Sequence, residues 1–295
     1  MSNLIARPSK LPSNQFDHFY KGGNRIGKLR NGPGGPMRPE EWIGSTTTRF
    51  GELVNGLSKL ADGRLLKDAV NADPSGWLGE KHVQRFGVST EVLVKLLDPD
   101  QRLPVHYHPD QKFAKDKLHL NHGKTEAWII LEAPAGARVG LGFKKQMDKS
   151  EIAQLVKAHN SQALLDSLVF KEVKSGDAVF VPAGVAHAIE AGIFVLELQE
   201  PTDLSILLEW DGFAVDGDKD GHLNLGYESA LDALRLSPLT KEENEQIFTG
   251  FDSSSVKSHS IFKSVANPFF RADYLTGDDK KVEAGFGILY VTSAA

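Results

Sequence analysis

The sequence predicts a mainly β protein, a β-sandwich or barrel with helices inserted between its strands. Three observations carry this. Short apolar, β-branched runs recur at 92–97, 103–107, 125–132, 138–143, 168–173, 178–182 and 187–199. Gly, Pro or Asp separates most of them, as expected of strands joined by turns. The chain, 295 residues and 32.3 kDa, is long enough to bury a sizeable core as one large domain or two small ones.

The elements follow in order. Residues 1–40 are polar and broken by Gly22, Gly23, Gly32, Pro33, Gly34, Gly35 and Pro36, which predicts a meandering arm with one short strand. Glu41-Trp42-Ile43-Gly44 leads into Ser45 and three threonines, a strand or extended loop. Val54, Leu57, Leu60 and Leu65 have roughly helical spacing, but Gly51, Gly56 and Gly63 limit residues 51–83 to short helices. Asp148 with Glu151 forms a capping box that opens a helix through about Asn160, and Ser161–Leu168 reads as a second helix. Residues 211–223 read as a loop. Tyr227–Leu234 and Thr240–Phe248 read as helices, the latter with its own capping box at Thr240 and Glu243. The tail from Ser258 is strand-like and ends on an alternating strand at 285–292.

Composition excludes several function classes. With 34 Lys plus Arg against 39 Asp plus Glu, the net charge is −5 and the pI about 6.1. Such a chain is not built for nucleic acid or an anionic membrane. The 40% hydrophobic and 25% charged content excludes global disorder. Cysteine is absent, so no disulfide, thiolate metal site or Cys nucleophile exists, and any metal must be held by His and carboxylate. No apolar run reaches the roughly 18 residues that a membrane helix needs, and the first 16 residues hold no signal-peptide stretch. The expected setting is the cytoplasm and the expected partner a small molecule.

The informative segment is LPVHYHPD at 103–110. His106 and His108 are two apart, so on a strand both imidazoles project from one face. Glu126 stands in the apolar run GKTEAWIIL, where an unpaired carboxylate is costly. Either a metal or Lys124, two residues earlier on the same face, can neutralise it. Gly176-Asp-Ala-Val-Phe-Val-Pro182-Ala-Gly184-Val-Ala-His187 is a turn, a strand and a Pro-x-Gly reversal that delivers a third imidazole. Its spacing matches the second motif of the cupin superfamily, and the His pair with Glu126 matches the first. Three His and one Glu suit a divalent ion such as zinc, manganese, iron, cobalt or nickel, and geometry rather than sequence chooses among them. His119 and His122 sit in a polar insert and reach such a site only if that loop folds back. His18, His82, His159, His222 and His259 read as surface or packing residues.

The chain resembles the type I (class I) mannose-6-phosphate isomerases, zinc-dependent cupins with a jelly-roll core. The resemblance runs from about residue 39 to 210. It rests on PEEWIGS, QRFG, the strand around Lys95, the 17-residue insert between His108 and Glu126, GKTEAW, and GDAVFVPAGVAHAIEAGIFVLELQEPTD. It implies His108, Glu126 and His187 as metal ligands, with His106 where the family usually has Gln. It implies that Lys95 and Lys124 line the substrate pocket and that Glu197 and Asp203 are acidic site residues. Two departures stand out: a family Ser is Pro104 here, and a family Arg is Leu207, leaving Arg102 or Arg271 to supply a guanidinium. The implied organisation is an N-terminal arm with strands packing on the barrel at 1–84, a metal-binding cupin core at 85–210, a helical and loop segment at 211–257, and C-terminal strands at 258–295 that represent a short or truncated second cupin half.

The implied reaction is metal-dependent aldose–ketose isomerisation of mannose 6-phosphate and fructose 6-phosphate, or of a related sugar, through a cis-enediol. In this scheme Lys124 moves protons and Lys95 binds phosphate or hydroxyls. The alternatives are an isomerase of a non-phosphorylated sugar, a metal cupin oxygenase, and a sugar-binding or regulatory protein without turnover. Metal identity, sugar and oligomeric state are not legible.

Overall fold

The computed structural model describes residues 8–32, 34–250, 258–276 and 285–292. The chain order of strands is β1 Glu40–Ile43, β2 Leu93–Leu97, β3 His106–Tyr107, β4 Glu126–Glu132, β5 Arg138–Phe143, β6 Leu168–Glu172, β7 Ala178–Val181, β8 His187–Ile189, β9 Phe194–Gln199, β10 Ile206–Leu207, β11 Phe248–Thr249, β12 His259–Ser260 and β13 Asp273–Tyr274. They form a six-stranded sheet, β1-β2-β9-β4-β7-β11, a five-stranded sheet, β10-β3-β8-β5-β6, and a two-stranded sheet, β12-β13. Every pairing is antiparallel.

The central strands are buried on most positions because their sequences are nearly continuous apolar runs. β2 and β7 are buried throughout, and Trp42, Trp128, Val139, Val179 and Val195 have no exposed surface. Each such side chain contributes about 1.5–3 kcal/mol by leaving water, enough to hold charged groups within the same sheet. Those groups, Glu126, Lys95 and Glu197, alternate with the apolar residues along β4, β2 and β9.

The expected 187–199 run is two strands, since Glu190-Ala-Gly192 turns between β8 and β9. The Pro-x-Gly reversal before β8 is present. Gly184 has φ +83°, a Cβ there would meet the Ala233 carbonyl at 3.0 Å, and its N–H donates to the His108 carbonyl at 2.7 Å. This turn therefore ties the third His to the second.

The short helices expected within 51–83 begin later, at Leu66–Ala72, Pro74–Leu78 and Glu80–Phe86. The arm carries one short helix, Arg25–Arg30. Asp148 caps the helix Lys149–Lys157 through the Ser150 N–H, and a second helix spans Ser161–Ser167. The 211–223 loop contains one helical turn, Gly217–Asp220. Tyr227–Ala230 tightens into a 3₁₀ turn at Leu231–Ala233. The helix Lys241–Ile247 has both halves of its capping box. Residues 285–292, expected as a closing strand, pair with no strand among the described residues. The alternation there had no partner strand to give it a register. No helix among the described residues is long and apolar enough to cross a membrane.

Candidate metal centre

The centre sits where the two sheets face each other, and each of its residues is placed by a local feature of sequence. β3 is only two residues long because Pro104 and Pro109 bracket it. It presents His106, paired in register with His187 of β8. His108 lies just beyond the strand. The insert that follows is closed on itself by the Lys124 N–H donating to the Pro109 carbonyl at 2.9 Å. The long gap to Glu126 therefore collapses, and β4 starts beside His108.

The ligand atoms of His106, His108 and His187 lie within 4.8 Å of one another, and all three residues are buried. Each Nδ1 faces a backbone carbonyl: Pro104 at 2.8 Å, Leu204 at 2.7 Å and Val185 at 2.8 Å. A carbonyl can only accept, so Nδ1 carries the proton and Nε2 keeps its lone pair for the centre. Glu126 completes the set. Its Oε2 is 3.0 Å from His108 Nε2 and its Oε1 3.4 Å from His187 Nε2. The Trp128 indole N–H donates to Oε1 at 2.9 Å and fixes the carboxylate.

The chemistry of these donors can be tested without an ion. His108 Nε2, His187 Nε2 and Glu126 Oε2 are buried polar atoms without a hydrogen-bond partner. Orphaned lone pairs converging in a dry interior are costly unless a cation meets them. Burial holds His106 well below the ordinary imidazole range, His108 down to about 3, and lowers His187. Burial alone would raise Glu126, but the neighbouring His108 and Lys124 outweigh it and hold the carboxyl well below its ordinary range. Neutral imidazoles and a carboxylate are the protonation states that a divalent ion requires. The residues fit a divalent metal.

Lys124 is buried, with Nζ 3.5 Å from Glu126 Oε2 and 3.4 Å from Ser205 Oγ. The salt bridge that sequence allowed as an alternative to a metal is thus formed, on the same Oε2 that His108 approaches, while His187 meets Oε1. Lys95 is elsewhere in its commitments. Its Nζ lies 3.4 Å from Glu40 Oε2, 3.5 Å from Glu197 Oε1 and 4.6 Å from the centre of the Trp42 ring. Burial opposes its charge, but the Glu40 and Glu197 charges raise its pKa overall. Burial and then the Glu126 charge push Glu197 up to about 7, against Lys95 and Lys124. Asp203 accepts the Phe50 N–H at 3.1 Å and lines a cavity of about 460 Å³.

Sequence reasoning missed Glu40, Tyr20, His18 and Gln199. Glu40 accepts from the Tyr20 hydroxyl at 2.7 Å and the Trp42 indole at 2.8 Å, and lies 3.6 Å from His18 Nδ1. Burial would raise its pKa, but His18, Lys95 and these hydrogen bonds hold it well below the usual carboxylate range. Only the pairing of β1 with β2, which sets Trp42 across from Lys95, brings Glu40 here. Gln199 had a readable signal, since it lies two residues from Glu197 on the same strand face. Its Oε1 is buried without a partner. His119 is exposed on the insert, and His122 pairs with Glu91 at 3.0 Å, so neither joins the centre. Leu207 pairs with His106 and is buried. Arg102 forms two bonds to Glu209, and Arg271 is exposed by the two-stranded sheet.

No protein-family model matches the chain. It is 34% identical over 240 residues to a mannose-6-phosphate isomerase of Streptococcus mutans, a match covering 79% of this chain and 69% of that protein. It spans less than half of three Bacillus subtilis relatives that are 31–32% identical. Among solved structures, a putative mannosephosphate isomerase from Archaeoglobus fulgidus superposes with a TM-score of 0.64 at 18% identity, covering 86% of this chain and 76% of that one. A mannose 6-phosphate isomerase bound with zinc and yttrium superposes at 0.59 and 16% identity, covering 88% and 81%. These two likenesses show the cupin fold. The similarity to the Streptococcus protein, over more than two thirds of its length, shows that the chain belongs to the mannose-6-phosphate isomerase family.

Proposed function

We propose that the chain is a metal-dependent aldose–ketose isomerase that interconverts mannose 6-phosphate and fructose 6-phosphate. The observation that carries this is the converging set of unpartnered, buried lone pairs on His108, His187 and Glu126, in a chain of this family. His106, His108, Glu126 and His187 are the metal-holding residues, and zinc, carried by one structural relative, is the first choice. A divalent ion held there supplies Lewis-acid polarisation of the sugar carbonyl.

The chain's own residues supply the rest. Isomerisation moves a proton between C1 and C2 of the sugar. Lys124 is the group placed to carry it, held beside the ligand Glu126 and Ser205. Glu197 is a second acid close to Lys95, and Gln199 offers an unpartnered amide oxygen to a sugar hydroxyl. Lys95, enclosed by two carboxylates and an indole, serves here to hold Glu40 and Glu197 in place rather than to bind phosphate. Asp203 acts through the wall of the adjoining cavity. The cysteine-free chain suits the reducing cytoplasm.

A second reading, a non-phosphorylated sugar, is favoured by the buried Leu207 opposite His106. Proton NMR of the metal-loaded protein in deuterated water decides between them. The expected result with mannose 6-phosphate is loss of the C2 proton signal and appearance of the ketose. Exchange with free mannose alone selects the second reading, and no exchange on either sugar, with metal bound, refutes both.

A further inference from the structure

We propose that the cavity beside the metal centre binds the phosphate group of a sugar phosphate, with Arg49 and Lys67 as its cationic anchors. The proposal rests on the isomerase reading and locates a part of the substrate which that reading leaves unplaced.

Two observations define the question. The cations nearest the metal centre are already engaged. Lys124 lies against Glu126, and Lys95 lies between Glu40 and Glu197. Neither can neutralise a dianion without abandoning a buried carboxylate, a change that costs several kcal/mol. Arg102 is held in a fork by Glu209. A phosphate must therefore find its charge partners outside this inner set.

The cavity of about 460 Å³ meets that need, and its size is ordinary for a small-molecule pocket. It shares a wall with the centre. Leu204 lines it, and the Leu204 carbonyl is the group that holds His108 Nδ1. Its lining carries Arg49 and Lys67 against one carboxylate, Asp203, which accepts the Phe50 N–H. Lys67 Nζ has no partner among the described residues. Arg49 lies over the Phe16 ring at 5.9 Å and reaches Glu52 at 3.2 Å and the Asp17 carbonyl at 3.4 Å through Nη1, and its Nε and Nη2 have no hydrogen-bond partner among the described residues. The side chains of Thr47, Thr48 and Asn71, also in the lining, make no hydrogen bond among the described residues. The unused groups are thus two cations, two hydroxyls and an amide, a donor-rich set suited to phosphate oxygens. The Arg49–Glu52 pair is half exposed, so exchanging its partner for a dianion costs little.

The test is titration calorimetry of the zinc-loaded full chain with mannose 6-phosphate and with inorganic phosphate. Arg49→Gln and Lys67→Gln are compared with Arg138→Gln, whose residue pairs with Glu190 and does not line this cavity. The expected result is a Kd for mannose 6-phosphate raised about tenfold or more by Arg49→Gln and about threefold by Lys67→Gln, with inorganic phosphate weakened in the same order and Arg138→Gln unchanged. Unchanged Kd values in both cavity variants, or no binding of either probe by the wild type, overturn the proposal. Turnover is measured separately. Phosphate binding that depends on Arg49, with no isomerisation, refutes the isomerase reading and leaves the phosphate site standing.

Discussion

Two buried polar clusters, one within the six-stranded sheet and one between it and the five-stranded sheet, solve the same problem in different ways. Glu40, Lys95 and Glu197 neutralise one another, with Tyr20 and Trp42 donating to Glu40. His106, His108, His187 and Glu126 do not, since Lys124 reaches only Oε2 of the carboxylate and the Nε2 atoms of His108 and His187 stay unpartnered. The first cluster finds its counter-charges within the chain, although Glu197 Oε1 and His18 Nε2 make no hydrogen bond there. The second is complete only with a cation. The difference teaches that burial of charge by itself does not mark a site; what marks it is buried metal-ligating atoms that converge on one point.

The largest effect comes from breaking the incomplete cluster. His108→Ala or His187→Ala removes a ligand whose ring is already oriented by a carbonyl, and should cost most bound metal and all detectable turnover. Metal content by mass spectrometry and the NMR assay check this together, and full activity in either variant refutes the ligand assignment. Lys124→Ala comes next. It should keep the metal and lower turnover by about 10²–10⁴-fold, the usual span for loss of a proton-transfer group. Loss of metal in proportion to activity would make Lys124 a support of Glu126 instead.

The self-neutralising cluster should answer in stability rather than in metal. Lys95→Met leaves Glu40 and Glu197 facing each other uncompensated, and should destabilise the fold by about 3–5 kcal/mol, read by urea unfolding. Adding Glu40→Gln and Glu197→Gln to it should recover much of that loss, because the uncompensated charges leave with the cation. A Lys95→Met variant as stable as the wild type would show that the two carboxylates are already protonated or solvated.

The contrast between the clusters also explains what was legible in the sequence. The metal set is carried by local spacing: His106 and His108 two apart, on a strand and just past its end, Glu126 opening the next apolar run, His187 behind a Pro-x-Gly turn. Spacing of this kind survives in one dimension. Glu40 and His18 reach Lys95 across 55 and 77 positions of chain, through strand pairing that no local pattern records. Lys95 was visible as a charge in an apolar strand, but its task was not, because that depends on who faces it. The helices were placed by their caps at Asp148 and Thr240. The segment 285–292 misled because alternation specifies a face, and a strand also needs a neighbour.

The smallest effect, and the sharpest discriminator, is pH. Glu40 titrates well below its ordinary value of 4.5, held there by His18, Lys95 and two hydrogen bonds against the cost of burial. Folding therefore favours its ionised form. That contribution is fully present above pH 4.5, the unfolded value, and is lost as pH falls below it toward the folded value. The wild type should lose Tm more steeply than Glu40→Gln as the pH falls below about 4.5, and Glu40→Gln should be the less stable protein at pH 7. Protonation of the metal-binding histidines at acid pH is common to both proteins, so it cancels in the difference between the two curves. Parallel curves, with a constant gap from pH 7 down to pH 3, would mean that Glu40 is not held ionised by Lys95, and the self-neutralising cluster would then owe its stability to packing around Trp42 rather than to its charges.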